Sequence, residues 1–326
     1  MNSAAWYIRL ALAALVLMLS AAAILADDRV PRVGLLREGQ LPDPFGAAFL
    51  DEMEVLGYKA GATVIYETRW AEGNPDRLPA LARELAALKV DVILTGGDSA
   101  VRAAMEAAPT IPIVMGASND PLGSGLAKSL TQPGGNVTGL TNFSLEMGQK
   151  RLETFRDAVP NLARVAVLYN PGFPSAQADL GATDSAARAL GLSLRAIPVS
   201  QGAELESAVT RLSRRDIDGL ITLADPFFTA HRERLAKLAL AARLPTMFHW
   251  REFVEVGGLM SYGPDNVALY RRAAHFVDKI LKGAKPETLP IEQPASFVLE
   301  FNLRTAKELG IVIPPELLAQ ADKVIE

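Results

Sequence analysis

Five times along the chain a short continuous apolar run ends in glycine and small polar residues, just before apolar positions begin to recur at helical spacing. The runs read Arg32-Val33-Gly34-Leu35-Leu36 into Arg37-Glu38-Gly39-Gln40, Asp91-Val92-Ile93-Leu94 into Thr95-Gly96-Gly97-Asp98-Ser99, and Ile113-Val114-Met115 into Gly116-Ala117-Ser118-Asn119-Asp120-Pro121. Two more follow, Val165-Ala166-Val167-Leu168 into Tyr169-Asn170-Pro171-Gly172 and Leu220-Ile221-Thr222-Leu223 into Ala224-Asp225-Pro226-Phe227. Runs without polar alternation predict strands covered on both faces, as in parallel sheets, whose ligands sit at the carboxyl ends of the strands. Function is therefore expected at these five tips.

Between the runs the pattern alternates strand, helix, strand with short connections, as βαβ units require. Helical spacing covers residues 45–53, 76–88 and 99–108, with strands at 63–70, 91–94 and 111–115. From Arg164 the layout repeats: strand to Tyr169, helix 175–190, strand 193–199, helix 204–214, strand 219–223, helix 228–242. Pro133-Gly134-Gly135-Asn136-Val137-Thr138-Gly139-Leu140 reads as a crossover between the halves. The tail, with a strand at 258–263, an amphipathic helix at 266–281, extended chain at 289–300 and a short helix at 305–309, returns to both halves. The fold class expected is α/β: two similar lobes, each a parallel sheet flanked by helices, joined by a multi-strand hinge with a ligand cleft between. Lobe one takes 29–139 plus about 263–290, and lobe two 140–262 plus about 291–326.

Composition narrows the function classes. The 326 residues suit about two domains. A net charge of -4 supplies no electrostatic footprint for nucleic acid or anionic membrane. Cysteine is absent, which excludes disulfides, thiolate metal sites, cysteine nucleophiles and a lipid-modified N-terminal cysteine. At the N-terminus Arg9, the apolar stretch 10–19 and Ser20-Ala21-Ala22-Ala23 have the layout of a secretory signal peptide over 1–26, cut after Ala23 or Ala26. An uncleaved anchor over 4–26 is the rival reading. Cleavage predicts a soluble protein in the periplasm or another extracytoplasmic space.

Catalytic signatures are missing. His231, His249 and His275 have no second histidine at metal-ligand spacing, and neither a nucleophile elbow nor a phosphate loop occurs. No metal, cofactor or catalytic residue is expected. What the tips offer is noncovalent capture. Gly97, Asp98 and Ser99 open a helix whose free N–H groups and dipole attract an anion, or else Asp98 or Ser99 simply caps it. Asp225 is placed to meet an ammonium, or to cap the helix after Pro226, and Ser118 and Asn119 carry the same two readings. Tyr169, Phe173, Phe227, Phe228, Phe248, Trp250 and Tyr262 gather at the second half's tips, where Trp250 and Tyr262 are candidate pocket walls.

The chain also resembles a known family over Val33 onward to Glu326. The wording that carries the resemblance is Ala71-Glu72-Gly73-Asn74-Pro75-Asp76-Arg77-Leu78-Pro79, Leu88-Lys89-Val90-Asp91-Val92-Ile93, Asp120-Pro121-Leu122-Gly123-Ser124-Gly125-Leu126 and Gln132-Pro133-Gly134-Gly135-Asn136-Val137-Thr138-Gly139. It continues in Arg251-Glu252-Phe253-Val254, Gly257-Gly258-Leu259-Met260-Ser261-Tyr262-Gly263-Pro264 and Asp278-Lys279-Ile280-Leu281-Lys282-Gly283-Ala284. These are similar to the substrate-binding proteins of ABC importers with the type-I periplasmic-binding fold, in a subgroup often linked to tryptophan and other aromatic amino acids. The resemblance implies a non-enzymatic, monomeric protein that closes over one small organic solute, an amino acid or related carboxylate, and presents it to permease subunits in the inner membrane. A ligand-sensing module for a membrane receptor is the alternative. Ser99, Ser118, Asn170 and Asp225 are carried over as ligand-contacting tip positions. The loop Thr95-Gly96-Gly97-Asp98-Ser99 departs from the Gly-Thr-Pro-Ala-like wording of the family.

Overall fold

Each apolar run folds as a strand whose residues are buried on both faces, and the glycine-rich ends turn the chain into the next helix. In the computed structural model, residues 29–39, 41–142, 144–212 and 214–326 are described. The segment 1–26 lies outside them. The first half runs β1 (Arg32–Arg37), α1 (Pro44–Val55), β2 (Ile65–Trp70), α2 (Leu78–Ala87), β3 (Val92–Thr95), α3 (Asp98–Ala107), β4 (Ile113–Ser118) and β5 (Val137–Thr141). These strands make one parallel sheet in the order β2-β1-β3-β4-β5, with Val33 opposite Val92 and Ile93 opposite Ile113.

The second half runs α4 (Ser144–Ala158), β6 (Arg164–Tyr169), α5 (Ala176–Ala189), β7 (Ser193–Pro198), α6 (Gly202–Thr210), β8 (Gly219–Thr222), α7 (Pro226–Ala230), α8 (Arg232–Ala241), β9 (Thr246–Phe248), α9 (Glu252–Glu255) and β10 (Met260–Pro264). After it come α10 (Asn266–Leu281), β11 (Phe297–Asn302), α11 (Leu303–Leu309), α12 (Pro315–Leu318) and β12 (Lys323–Ile325). The second sheet has the order β12-β11-β10-β9-β8-β6-β7, parallel except where β11 meets β10. The molecule is a two-lobed α/β fold joined by a hinge.

Three passages of chain link the sheets. β5 hands over to α4, which packs on α5, β9 and β10. β10 hands back to α10, which packs on α1 and on β3, β4 and β5. Glu292 bridges to Leu140 of the first sheet, and the chain then enters β11 of the second. One apolar cluster runs across the lobes, from Phe45, Phe49 and Tyr270 to Trp250, Phe227 and Phe228. The lobes therefore meet along buried side chains.

Several local expectations shift. Helix 228–242 is two helices, interrupted at His231, whose ring Nδ1 lies 3.0 Å from the Phe227 carbonyl oxygen. The extended stretch 289–300 becomes a strand only from Phe297, and it runs opposite to its neighbour. The helix α4 was not anticipated, because its buried Met147, Leu152, Phe155 and Ala158 are spread thinly among polar residues. The topology also explains where a ligand belongs. Strand order reverses between β1 and β3 in the first sheet and between β6 and β8 in the second, so the loops after these strands diverge and leave a crevice.

Candidate functional site

The loop after β1 places Arg37 and Glu38 at the first crevice. Arg37 donates from Nε and Nη2 to Asp43, at 2.8 and 2.9 Å, and from Nη1 to the Tyr270 hydroxyl at 2.9 Å. Its guanidinium also lies 4.7 Å from the centre of the Tyr270 ring, which stacks at 5.5 Å on Phe45. Tyr270 reaches the strand tips because Gly96 and Gly116 have no side chain: a Cβ at Gly96 would lie 1.9 Å from the Tyr270 oxygen, and one at Gly116 2.5 Å from its ring. Phe45 meets Trp250 of the other lobe edge to face at 5.8 Å.

These groups enclose an interlobe cavity. The cavity volume is about 80 Å³. The first sheet contributes Arg37, Glu38, Gly97 and Asn119, the second Pro226, Trp250 and Glu252, and α10 adds Asn266 and Tyr270. Four aromatic side chains, Phe45, Trp70, Trp250 and Tyr270, supply the apolar surface. Five buried polar atoms on the walls have no hydrogen-bond partner: Glu38 Oε2, Asn142 Oδ1, Trp250 Nε1, Glu252 Oε2 and Asn266 Oδ1. Native proteins satisfy nearly all buried polar atoms, so this concentration of orphans makes the cavity the candidate site for a bound molecule.

Burial also shifts the carboxyls around the cavity. Burial, then Asp225 and Asp98, hold the Glu38 carboxyl well above its ordinary range. Burial likewise pushes Asp225 up to about 7, against the lowering effect of the Phe227 N–H, with Asp98 and Asp179 adding to the rise. Glu252 is pushed up to about 7 chiefly by burial. Asp179 rises to about 7 for the same reason, opposed by Ser175 and by the Arg151 charge. Carboxyls of both lobes thus gather where the lobes meet; burial favours their neutral form, and a cation placed among them would favour the ionised one.

The expected site residues separate into groups. Gly97, Asn119 and Trp250 line the cavity. Ser99 and Asn170 line a neighbouring groove that shares Glu38 with it. Asp98 and Ser118 lie beneath the wall: the Asp98 carboxylate accepts from Ser118 Oγ at 2.6 Å, Asn119 N at 3.0 Å and Ser124 Oγ at 3.1 Å. That bonding makes Asp98 a brace for the β4 loop. Asp225 caps α7, accepting from the Phe227 N–H at 2.7 Å, while its Oδ2 is buried without a partner. Tyr262 stands apart from the cavity, stacked at 6.2 Å on Phe297 of the neighbouring strand β11. His249 is fully buried beside Trp250 and is not on the cavity wall. An anion is expected at the start of α3. Glu38 Oε2 would lie 3.2 Å from a Cβ on Gly97, so the chain's own carboxyl stands beside that helix terminus.

Sequence reasoning missed Arg37, Glu38, Asp43, Asn142, Glu252, Asn266 and Tyr270. Glu38 was within reach, since it belongs to the first of the five tips. Tyr270 was not, because within an amphipathic helix it reads as core. Among the described residues no group of acidic and histidine side chains forms a metal site, and no helix is long and apolar enough to cross a membrane.

Comparison with known proteins adds the following. A family model described as ABC transporter substrate binding protein matches residues 46–325. A tyrosine-binding protein of Clostridioides difficile (strain R20291) is 25% identical over 264 residues, 81% of this chain and 75% of that protein. A conserved domain protein from Vibrio cholerae superposes with a TM-score of 0.86 at 28% identity, over 91% of this chain and 100% of its own. An ABC domain in complex with L-Trp from Streptococcus pneumonia superposes at 0.85, with 26% identity over 91% and 100% of the two chains. A ligand-free, open substrate binding protein with adhesive properties from Clostridium difficile superposes at 0.65, with 24% identity over 91% and 99%.

Proposed function

The chain belongs to the ABC transporter substrate binding protein family, and from that premise we propose that its interlobe cavity captures an aromatic amino acid or a close chemical relative. As a member it is the solute-binding component of an importer, taking a small organic ligand between its lobes without converting it. The observation that carries the finer reading is the pairing of four aromatic walls with five unpartnered polar atoms in one cavity. The tyrosine-binding relative and the L-Trp complex point the same way. The better superposition on the L-Trp complex than on the open, ligand-free relative supports reading the present arrangement as the closed one.

Capture then works by differential affinity. A ligand that touches both lobes stabilises only the closed arrangement, and its binding energy shifts the equilibrium toward closure. Gly97, Asn119 and Trp250 contact it directly in this reading, with Asp225 behind them as a source of negative potential. We take the lobes as 29–139 with about 263–290, and 140–262 with about 291–326. The chain is exported, loses its leader after Ala23 or Ala26, works as a monomer and meets the permease with the closed lobes. Calorimetric titration of the mature protein with L-tyrosine, L-tryptophan and L-phenylalanine tests the reading. Saturable heat with at least one supports it, and none with all three contradicts it.

A further inference from the structure

The orientation of two amides fixes what the cavity asks of its ligand. The Ala224 carbonyl can only accept, so the group that Asn119 turns toward it, at 2.5 Å, is Nδ2. Asn119 Oδ1 therefore faces Asn142, whose Nδ2 donates to it at 2.7 Å. Asn142 is left presenting an oxygen, 2% exposed and without a partner. With Glu38, Glu252 and Asn266, the cavity offers four unpartnered oxygens against one unpartnered N–H, that of Trp250, and the two carboxyl oxygens become acceptors when a neighbouring ammonium favours their ionised form.

Cations for a ligand carboxylate are scarce by comparison. Two guanidinium groups line the cavity. Arg37 has its Nε, Nη1 and Nη2 engaged by Asp43 and Tyr270. Arg232 donates from Nη1 to the Thr229 carbonyl at 3.0 Å. Against them stand Glu38, Asp43 and Glu252 on the walls, with Asp98 and Asp225 close enough to Glu38 to act on its charge.

We infer that the ligand is recognised through a protonated amine on an aromatic body, with Glu38 as the specificity-determining carboxyl and Asn142, Glu252 and Asn266 as neighbouring acceptors, and that a carboxylate on the ligand is dispensable. The inference rests on the interlobe cavity being the capture site. An ammonium brings three donors and a positive charge to a wall of acceptors, and the aromatic body covers Phe45 and Trp250. A des-amino acid brings a negative charge to the same wall and leaves its oxygens unpaired.

The experiment compares three probe sets by calorimetry: L-tyrosine and L-tryptophan, the amines tyramine and tryptamine, and the des-amino acids hydroxyphenylpropionate and indolepropionate. The expected result is binding of the first two sets and none of the third. Glu38→Gln, of equal size, lowers affinity for both binding sets by about tenfold or more, and Glu252→Gln serves as a second variant on the facing lobe. A melting curve of each variant without ligand checks that it is folded. Des-amino acids binding while amines do not, or Glu38→Gln binding as tightly as the parent, overturns the inference and leaves the cavity reading standing. Silence from all three sets overturns both.

Discussion

Gly97 is where backbone strain and lobe closure meet in one residue. It has φ 83 and ψ 139, a region open to glycine and costly for residues with a side chain. A Cβ built there lies 2.9 Å from Pro226 Cγ of the other lobe and 3.2 Å from Glu38 Oε2. Gly97→Ala thus carries two penalties that act at different stages. The strain, about 1–3 kcal/mol, is present whether the lobes are open or shut and appears as lost folding stability. At roughly 2–4 °C per kcal/mol for a chain of this class, the ligand-free protein melts several degrees lower. The contact with Pro226 exists only when the lobes meet, and overpacking of this kind costs about 1–3 kcal/mol.

Because closure is coupled to binding, that second penalty raises Kd about 5- to 150-fold. Calorimetry with L-tyrosine or L-tryptophan reads the Kd, and scanning calorimetry of the free protein reads the melting temperature. Adding Pro226→Ala removes the ring carbon that the new Cβ meets, so the double variant regains most of the affinity and none of the lost melting temperature. Unchanged affinity in Gly97→Ala, or failure of Pro226→Ala to restore it, would refute the placement of this contact at the closing interface.

Three other predictions follow from the same geometry. Asn119→Ala removes the bond to the Ala224 carbonyl across the lobes and the partner of Asn142, so affinity drops by about 1–3 kcal/mol in titration, and no change would show the bridge to be idle. Gly139 sits at φ 124 in β5, where a Cβ would lie 2.3 Å from the Met115 carbonyl oxygen; Gly139→Ala separates β4 from β5, lowering the melting point by more than Gly97→Ala does, and an equal or smaller drop counts against that register. For pH, Asp179, Asp225 and Glu252 have folded-state values raised to about 7, so their contribution is full below the ordinary carboxyl range and is lost as pH rises through 7. His249, held well below its ordinary value first by burial and then by Arg151, acts oppositely, but below about pH 6.5. Melting temperature of the free protein therefore falls between pH 6.5 and 8, and a rise over that window would contradict the assignment.

The fold was legible wherever a strand was buried on both faces. β1, β3, β4, β6 and β8 are written as unbroken apolar runs because helices cover them on each side, and no neighbouring pattern competes. β11 was harder to place: its antiparallel direction is set by where the chain returns from Glu292, information no local pattern holds. The site was legible as a set of tips but not as a set of atoms. Asp98 and Asp225 sit at tips as expected, yet one braces the β4 loop and the other caps α7. Tyr270 becomes a wall residue only through a partner 233 positions away, Arg37, which donates to its hydroxyl.

Small-angle scattering of the mature protein, stripped of bound solutes and then titrated with aromatic amino acids and their amines, bears most directly on capture by lobe closure. A compound that saturates calorimetric binding is predicted to reduce the radius of gyration, with half-change at its Kd, and Gly97→Ala is predicted to blunt that reduction at equal ligand. Saturated binding with no change in the scattering curve would contradict the account.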